Sequence, residues 1–206
     1  MKKFLFSSIA AALFAVSGSS MAAQFAAGQD YTVVSNPVKI EKPGKIEVRE
    51  FFWYGCPHCY KLEPHMQTWL KKLPSDVRFV RTPAAMNPLW EEGARAYYAS
   101  EVLGVRQKSH LQIFHDVHAR GKQTILQQQG FAKFFTRYGI PEAKFNSTFK
   151  SFAVTSKIAQ AKSLAQTYQL TGVPAVVVNG KYIVQGEDQK VVDVVNYLVE
   201  KERKAK

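Results

Sequence analysis

Cys56 and Cys59 are the only cysteines in the 206-residue chain, and Pro57-His58 separates them. Two thiols at this spacing can ligate a metal, anchor a haem, or cycle between dithiol and disulfide. Haem attachment needs a histidine directly after the second cysteine, and Tyr60 stands there. A four-ligand structural zinc site needs a second Cys or His pair at comparable spacing, and the chain has no further cysteine. A purely structural disulfide stays open as the alternative, although so short a loop gains little as a staple in a chain of this length. The residues around the pair favour redox chemistry.

Those residues must place the sulfurs. The apolar run Ile46 to Tyr54 reads as a buried strand that delivers Cys56 to the first turn of a helix. There the sulfur meets unpaired backbone N–H groups and the positive end of the helix dipole, and both favour a thiolate. Pro57 suits the first helical position, where a missing N–H costs nothing. The helix is expected to reach about Leu73, with a kink at Pro64. Along the strand, Ile46, Val48, Glu50 and Phe52 share one face, so Glu50 sits among apolar neighbours as a candidate buried acid. A second strand, Asp76 to Thr82, carries Arg81, the candidate charge partner that a buried carboxylate needs. Pattern alone equally allows Glu50 and Arg81 to be separate and solvated at strand edges.

From Ala85 the hydrophobic period changes from two to about 3.6 for roughly eighty residues, which predicts a helical block. Expected helices are Leu89 to Leu103, Lys108 to Ala119, Thr124 to Tyr138 loosened at Gly130, a short one after Pro141, and Thr155 to Leu170. His115 and His118 share a helical face in this block, but with His110 elsewhere and no carboxylate to complete a site, no metal is expected. The Phe131, Phe134, Phe135 and Tyr138 stripe reads as core. Ala175 to Val178 and Lys181 to Val184 flank Asn179-Gly180, a strong hairpin signal. Pro174, at the mouth of the first of these strands, is either an edge device or a cis-proline. Asp188 caps a last helix, Gln189 to about Glu200.

The N-terminus bears on compartment. Lys2-Lys3, an apolar stretch from Phe4 to Val16 and the small-x-small Ser20-Met21-Ala22 read as a secretory signal peptide over residues 1–22, leaving a soluble mature chain from Ala23. Removing it lowers the formal charge from +12 to +10, since Lys2 and Lys3 leave and no acidic residue does. The remaining positive residues are spread out, apart from Lys201 to Lys206, which reads as a frayed, solvated tail; no nucleic-acid partner is expected.

Phe51-Phe52-Trp53-Tyr54-Gly55-Cys56-Pro57-His58-Cys59-Tyr60, the proline five residues beyond Cys59, and Gly172-Val173-Pro174-Ala175 before Asn179-Gly180 resemble the DsbA family of periplasmic thiol:disulfide oxidoreductases. The resemblance spans essentially the whole mature chain. It implies an α/β architecture, a thioredoxin fold built from Ala23 to about Ala84 and about Thr171 to Lys206, with an all-helical domain at 85–170 inserted between. It implies that Pro174 is cis and packs against the cysteines, and that Val173 offers backbone groups to an extended client by β-augmentation. Glu50 matches the family's buried acid, and Arg81 stands where lysine is usual. An arginine stays charged and is expected to hold Glu50 ionised more firmly.

The implied reaction passes the Cys56–Cys59 disulfide to unfolded secreted proteins with reduced cysteines, through a mixed disulfide on Cys56. The pair itself is the redox group, with no further cofactor, in a monomer re-oxidised by a DsbB-like inner-membrane quinone reductase. His58 is credited with stabilising the Cys56 thiolate by charge or hydrogen bonding. A Cys56 pKa of about 4 would favour the reduced form at pH 7 by roughly 4 kcal/mol, about 90 mV; the direction is a known property of the family and is inherited from it. A reductase or isomerase of the same fold, and a peptide-binding export chaperone with an incidental dithiol, are the competing readings.

Overall fold

The structure, a computed structural model, describes residues 25–40 and 44–205. The signal-peptide segment lies outside the described residues.

β2 (Ile46–Phe52) is the strand from which the rest is built. All of its residues are buried, because both faces of the sheet are covered and β2 lies inside it. It runs parallel to β3 (Val77–Pro83), with Glu50 opposite Arg81, and antiparallel to β4 (Ala175–Val178). β4 turns into β5 (Tyr182–Gln185) through Asn179 and Gly180, both with positive φ, in a turn closed by the Lys181 N–H on the Val178 carbonyl at 3.0 Å. The two-residue β1 (Thr32–Val33) closes the order β1-β5-β4-β2-β3.

Ile46 and Val48 join Leu62 and Met66 of α1 (Pro57–Leu70) and the valines of α7 (Gln189–Lys204) in one apolar layer. Phe52, farther along that face, enters the core of the helical block instead. On the other face Phe51 packs with Ala165 and Tyr168 at the end of α6 (Phe152–Thr167). Glu47 and Arg49 are buried on this face too, and they are satisfied there. Arg49 donates to Glu47 at 2.9 Å and to Thr82 at 2.8 Å, and Arg78 donates to the second Glu47 oxygen at 2.9 Å.

The helical block lies between β3 and β4 as α2 (Pro88–Val102), α3 (Arg106–His118), a 3₁₀ turn (Gln123–Leu126), α4 (Gln128–Thr136), α5 (Glu142–Phe149) and α6. Its core is the expected aromatic stripe: Phe131, Phe134 and Phe135 are buried, and Phe135 stacks on Phe145 at 4.9 Å. Several boundaries differ from the sequence reading. α1 ends at Leu70, before Leu73. α6 starts three residues early, because Ser151 accepts a hydrogen bond from the Val154 N–H and caps it. The break in the Thr124–Tyr138 segment falls at Gln127 and not at Gly130, which lies within α4. Gly130 is there because the 3₁₀ turn folds back on it: a Cβ would stand 2.0 Å from the Thr124 carbonyl oxygen.

The charged C-terminus is also not a frayed tail. α7 continues through Lys204, since Glu202 is buried against Lys181, Arg203 chelates Asp76 at 2.6 Å, and Lys201 lies over the Tyr31 and Tyr182 rings. Among the described residues no helix is long and apolar enough to cross a membrane.

Gly130→Ala pushes a methyl group into backbone that cannot move aside, and it is expected to cost about 2 to 3 kcal/mol in urea unfolding. Gly172→Ala, where a Cβ meets nothing within 4 Å, should stay within about 0.5 kcal/mol of wild type.

Candidate active site

Cys56 is the N-cap of α1, in extended backbone conformation, with Pro57 in the first turn. Its sulfur accepts a hydrogen bond from the Cys59 N–H at 3.4 Å and its own thiol donates to the Val173 carbonyl at 3.3 Å. Both cysteines are free thiols here, Cys56 6% exposed and Cys59 fully buried one turn along the helix. The Val173–Pro174 peptide bond is cis. A groove of about 380 Å³ runs beside it, bordered by His58, Val173, Pro174, Gln185 and Glu187.

The preceding Trp53-Tyr54-Gly55 is fixed by packing. The Trp53 indole lies so close to Gly55 that a Cβ there would be 2.3 Å from its ring, and it stacks on Trp90 at 5.0 Å. Tyr54 is buried, its hydroxyl sharing a 3.0 Å hydrogen bond with His110 Nδ1, while His118 Nε2 donates to the Tyr54 carbonyl at 2.8 Å. His118 also stacks on Tyr60 at 5.0 Å. The sequence reading paired His115 with His118; the structure corrects this. His110, Phe114 and His118 repeat every fourth residue, form one stripe of α3 and face the redox loop, whereas His115 points outward. Among the described residues no cluster of three or more His, Cys, Asp or Glu is arranged to hold a metal.

Beneath the sulfurs lies a buried charge network. Arg81 Nε donates to Glu50 at 2.9 Å, so the two sequence candidates meet across the parallel β2/β3 pair. Arg81 also donates to Glu63 at 2.6 Å, Gln67 donates to the same oxygen, and the other Glu63 oxygen lies 3.7 Å from His110 Nε2. Glu63, Tyr54, His110 and His118 were not singled out as site residues from sequence. The missed signal was a glutamate four residues after Cys59, on the apolar face of α1 that also carries Leu62 and Met66.

The electrostatics separate the two thiols. The Cys56 pKa is lowered to about 6, first by the hydrogen bond from the Cys59 thiol, against the cost of burial, then by the N–H groups of Cys59 and His58, with the His58 charge last. Burial pushes Cys59 far above the ordinary thiol range, and the hydrogen bond to Cys56 pushes it further. His58 was expected to act on the sulfur through its side chain. The charge part of that holds, as the last of the contributions, but the imidazole, 61% exposed, contacts the Glu187 carboxylate and not the sulfur, and the larger contribution of His58 to Cys56 comes from its backbone N–H. Glu50 also departs from expectation. Burial raises its pKa to about 7, outweighing the Arg81 guanidinium, and Glu63 adds to the rise. Glu63 itself, although burial opposes it, is held below the usual carboxylate range by His110 and Arg81.

A strand leading to a Cys-x-x-Cys helix start, facing a cis-proline, defines a thioredoxin-fold dithiol protein. The sequence profile of the DSBA-like thioredoxin domain matches residues 82–194. The chain is 42% identical over 192 residues to the thiol:disulfide interchange protein DsbA of Pseudomonas aeruginosa, covering 90% of each. It is 42% identical over 205 residues to that of Pseudomonas syringae pv. tomato, covering 96% of this chain and 95% of the relative. The crystal structure of Pseudomonas aeruginosa DsbA superposes with a TM-score of 0.81 at 42% identity, over 88% of this chain and 96% of that one. The oxidoreductase NmDsbA1 from Neisseria meningitidis gives 0.75 at 26% identity, over 87% and 95%. The chain belongs to the DsbA family and is a protein thiol:disulfide oxidoreductase with a thioredoxin-like fold.

Glu50 makes stability depend on pH in a defined direction. Its folded pKa lies above its unfolded value, so the folded state holds the extra proton, and stability present below about pH 4.5 is lost as pH rises towards 7. Up to about 3 kcal/mol is at stake. Urea unfolding of the reduced protein at pH 4.5 and 7.5 should show Glu50→Gln gaining on wild type at the higher pH by about that amount. An equal difference at both pH values would contradict the raised pKa.

Proposed function

We propose that this oxidoreductase works as a dithiol oxidase that donates the Cys56–Cys59 disulfide to newly exported proteins in the periplasm. The observation that carries the reading is the asymmetry of the pair: a sulfur near the surface with its pKa lowered to about 6, and a buried partner displaced the other way.

A client thiolate attacks Cys56, forming a client–Cys56 disulfide and breaking the Cys56–Cys59 bond. Cys59 leaves as a thiolate that its surroundings strongly disfavour, and it takes up a proton. Glu50, whose charge is close enough to raise the Cys59 pKa, is the acid that supplies it; a carboxyl titrating near 7 is half protonated at neutral pH. The client's second thiolate then attacks the client sulfur of the mixed disulfide, and Cys56 departs as the better leaving group. The client is oxidised and the pair is reduced by two electrons. Pro57 starts the helix that serves the leaving sulfur, and Arg81 fixes Glu50 beneath Cys59.

The Cys56 thiol already bonds the Val173 carbonyl, so a client strand lying along Val173 and Pro174 would bring its cysteine to this sulfur while pairing its backbone with the chain. Discounted for solvent screening, a Cys56 pKa of about 6 favours the reduced form at pH 7 by about 1 kcal/mol, or about 20 mV. That is smaller than the sequence-based figure, so the thiolate accounts for only part of any strongly oxidising potential. The cycle needs no added cofactor. Its re-oxidation would fall to an inner-membrane quinone reductase resembling DsbB, which meets a monomer at the same groove.

Equilibrating the mature protein with glutathione buffers, read by thiol alkylation, should give a potential well above that of glutathione. Cys56→Ser should abolish oxidation of a reduced client, while Cys59→Ser should accumulate client mixed disulfides. Wild-type turnover by Cys59→Ser, or a potential near that of thioredoxin, would overturn the oxidase reading.

A further inference from the structure

The groove beside the cis-proline carries an acidic residue that the proposed reaction does not use. Glu187 follows β5 and immediately precedes Asp188, the N-cap of α7. The hairpin brings it over the start of α1, where its two oxygens meet a histidine and a lysine one helical turn apart. One contacts His58 Nδ1, and the other accepts from Lys61 Nζ at 2.9 Å. His58 is a mostly exposed side chain, so this contact, and not packing, decides where its ring points.

That direction matters because the ring has two possible destinations. The Cys56 sulfur is served by the Cys59 thiol and by backbone N–H groups, with the imidazole contributing only through charge. The other groups around His58 are already engaged. On α1, Lys61 shares Glu187 and His65 bonds Gln189 at 3.2 Å; on α7, Asp188 accepts from the Lys190 N–H at 3.0 Å. Gly172, Val173, Pro174 and Gln185 complete the groove without charge. Among the described residues, Glu187 is therefore the acid that competes with Cys56 for the imidazole.

We propose that Glu187 is a positioning residue that holds the His58 imidazole away from the Cys56 sulfur in the dithiol state and so limits how far His58 supports the thiolate. This rests on the reading of Cys56 as the sulfur that leaves as a thiolate. An exposed polar contact of this kind is weak enough to be a tuning device and not a lock. Released from it, the imidazole is free to turn to the Cys56 thiolate once that has formed, a charge it already supports.

The test is a pH titration of thiolate absorbance at 240 nm on four reduced proteins: wild type, Glu187→Ala, His58→Gln and the double variant. Glu187→Ala should lower the Cys56 midpoint by about half a pH unit, and shift the glutathione equilibrium at pH 7 about threefold towards the reduced protein. In the His58→Gln background the same substitution should leave the midpoint where it is. An unchanged midpoint in Glu187→Ala would overturn the proposal. So would an equal shift in both backgrounds, because the carboxylate would then be acting through its own charge. The titration reads the sulfur directly, so the expected shifts in a protein without oxidase activity would support the positioning role while sinking the oxidase reading.

Discussion

The convergence of a helix start on one sulfur is the constraint on which this structure depends. Cys56 sits at the N-cap of α1, where the N–H groups of the first turn have no intrahelical partner, and they point at its sulfur. One turn later Cys59 is sealed in the core. The same hydrogen bond that lowers the pKa of Cys56 raises that of Cys59, so the pair is polarised by its own geometry before any charged side chain is counted. Everything else in the fold either holds that helix start in place or manages the proton that Cys59 must take up.

The proton is managed by charges that the core tolerates only as a group. Glu50 and Glu63 both lean on Arg81, and a single buried guanidinium shared by two carboxylates cannot satisfy both fully. The division is unequal. Glu63 has Gln67 and the neighbouring His110 as further support and stays ionised, while Glu50, with Arg81 as its one protein donor among the described residues, is left near the protonation balance at neutral pH. A carboxyl in that state can give or take a proton as Cys59 changes its bonding. Replacing lysine by arginine at this position does not by itself fix the charge of Glu50, because desolvation is the larger effect.

The inserted helices are more than an appendage to the sheet. α3 reaches the redox loop with His110 against the Tyr54 hydroxyl and His118 against the Tyr54 carbonyl, and Phe114 between them packs on Tyr54 and Phe52. Cys59 itself belongs to the apolar cluster of this block. The helical layer thus supplies one wall of the site, and the cis-proline loop returning to the sheet supplies the other.

The sequence by itself determined the redox pair, the strand and helix on either side of it, the hairpin at Asn179-Gly180, the helical character of the insertion and the Glu50–Arg81 candidates. These are local matters: periodicity, a proline at a helix start, turn residues, and the spacing of two cysteines all act within a few positions along the chain. Only the tertiary structure decided which groups meet across long separations. The His58 imidazole turns to Glu187, 129 residues away, because the β4/β5 hairpin folds back over α1. His110 and His118 face the site because α3 crosses it, and Glu50 sits near neutrality because burial, which no spacing records, outweighs the charge beside it. Desolvation and long-range contacts are properties of the packed molecule, and the linear pattern carries the residues without carrying their surroundings.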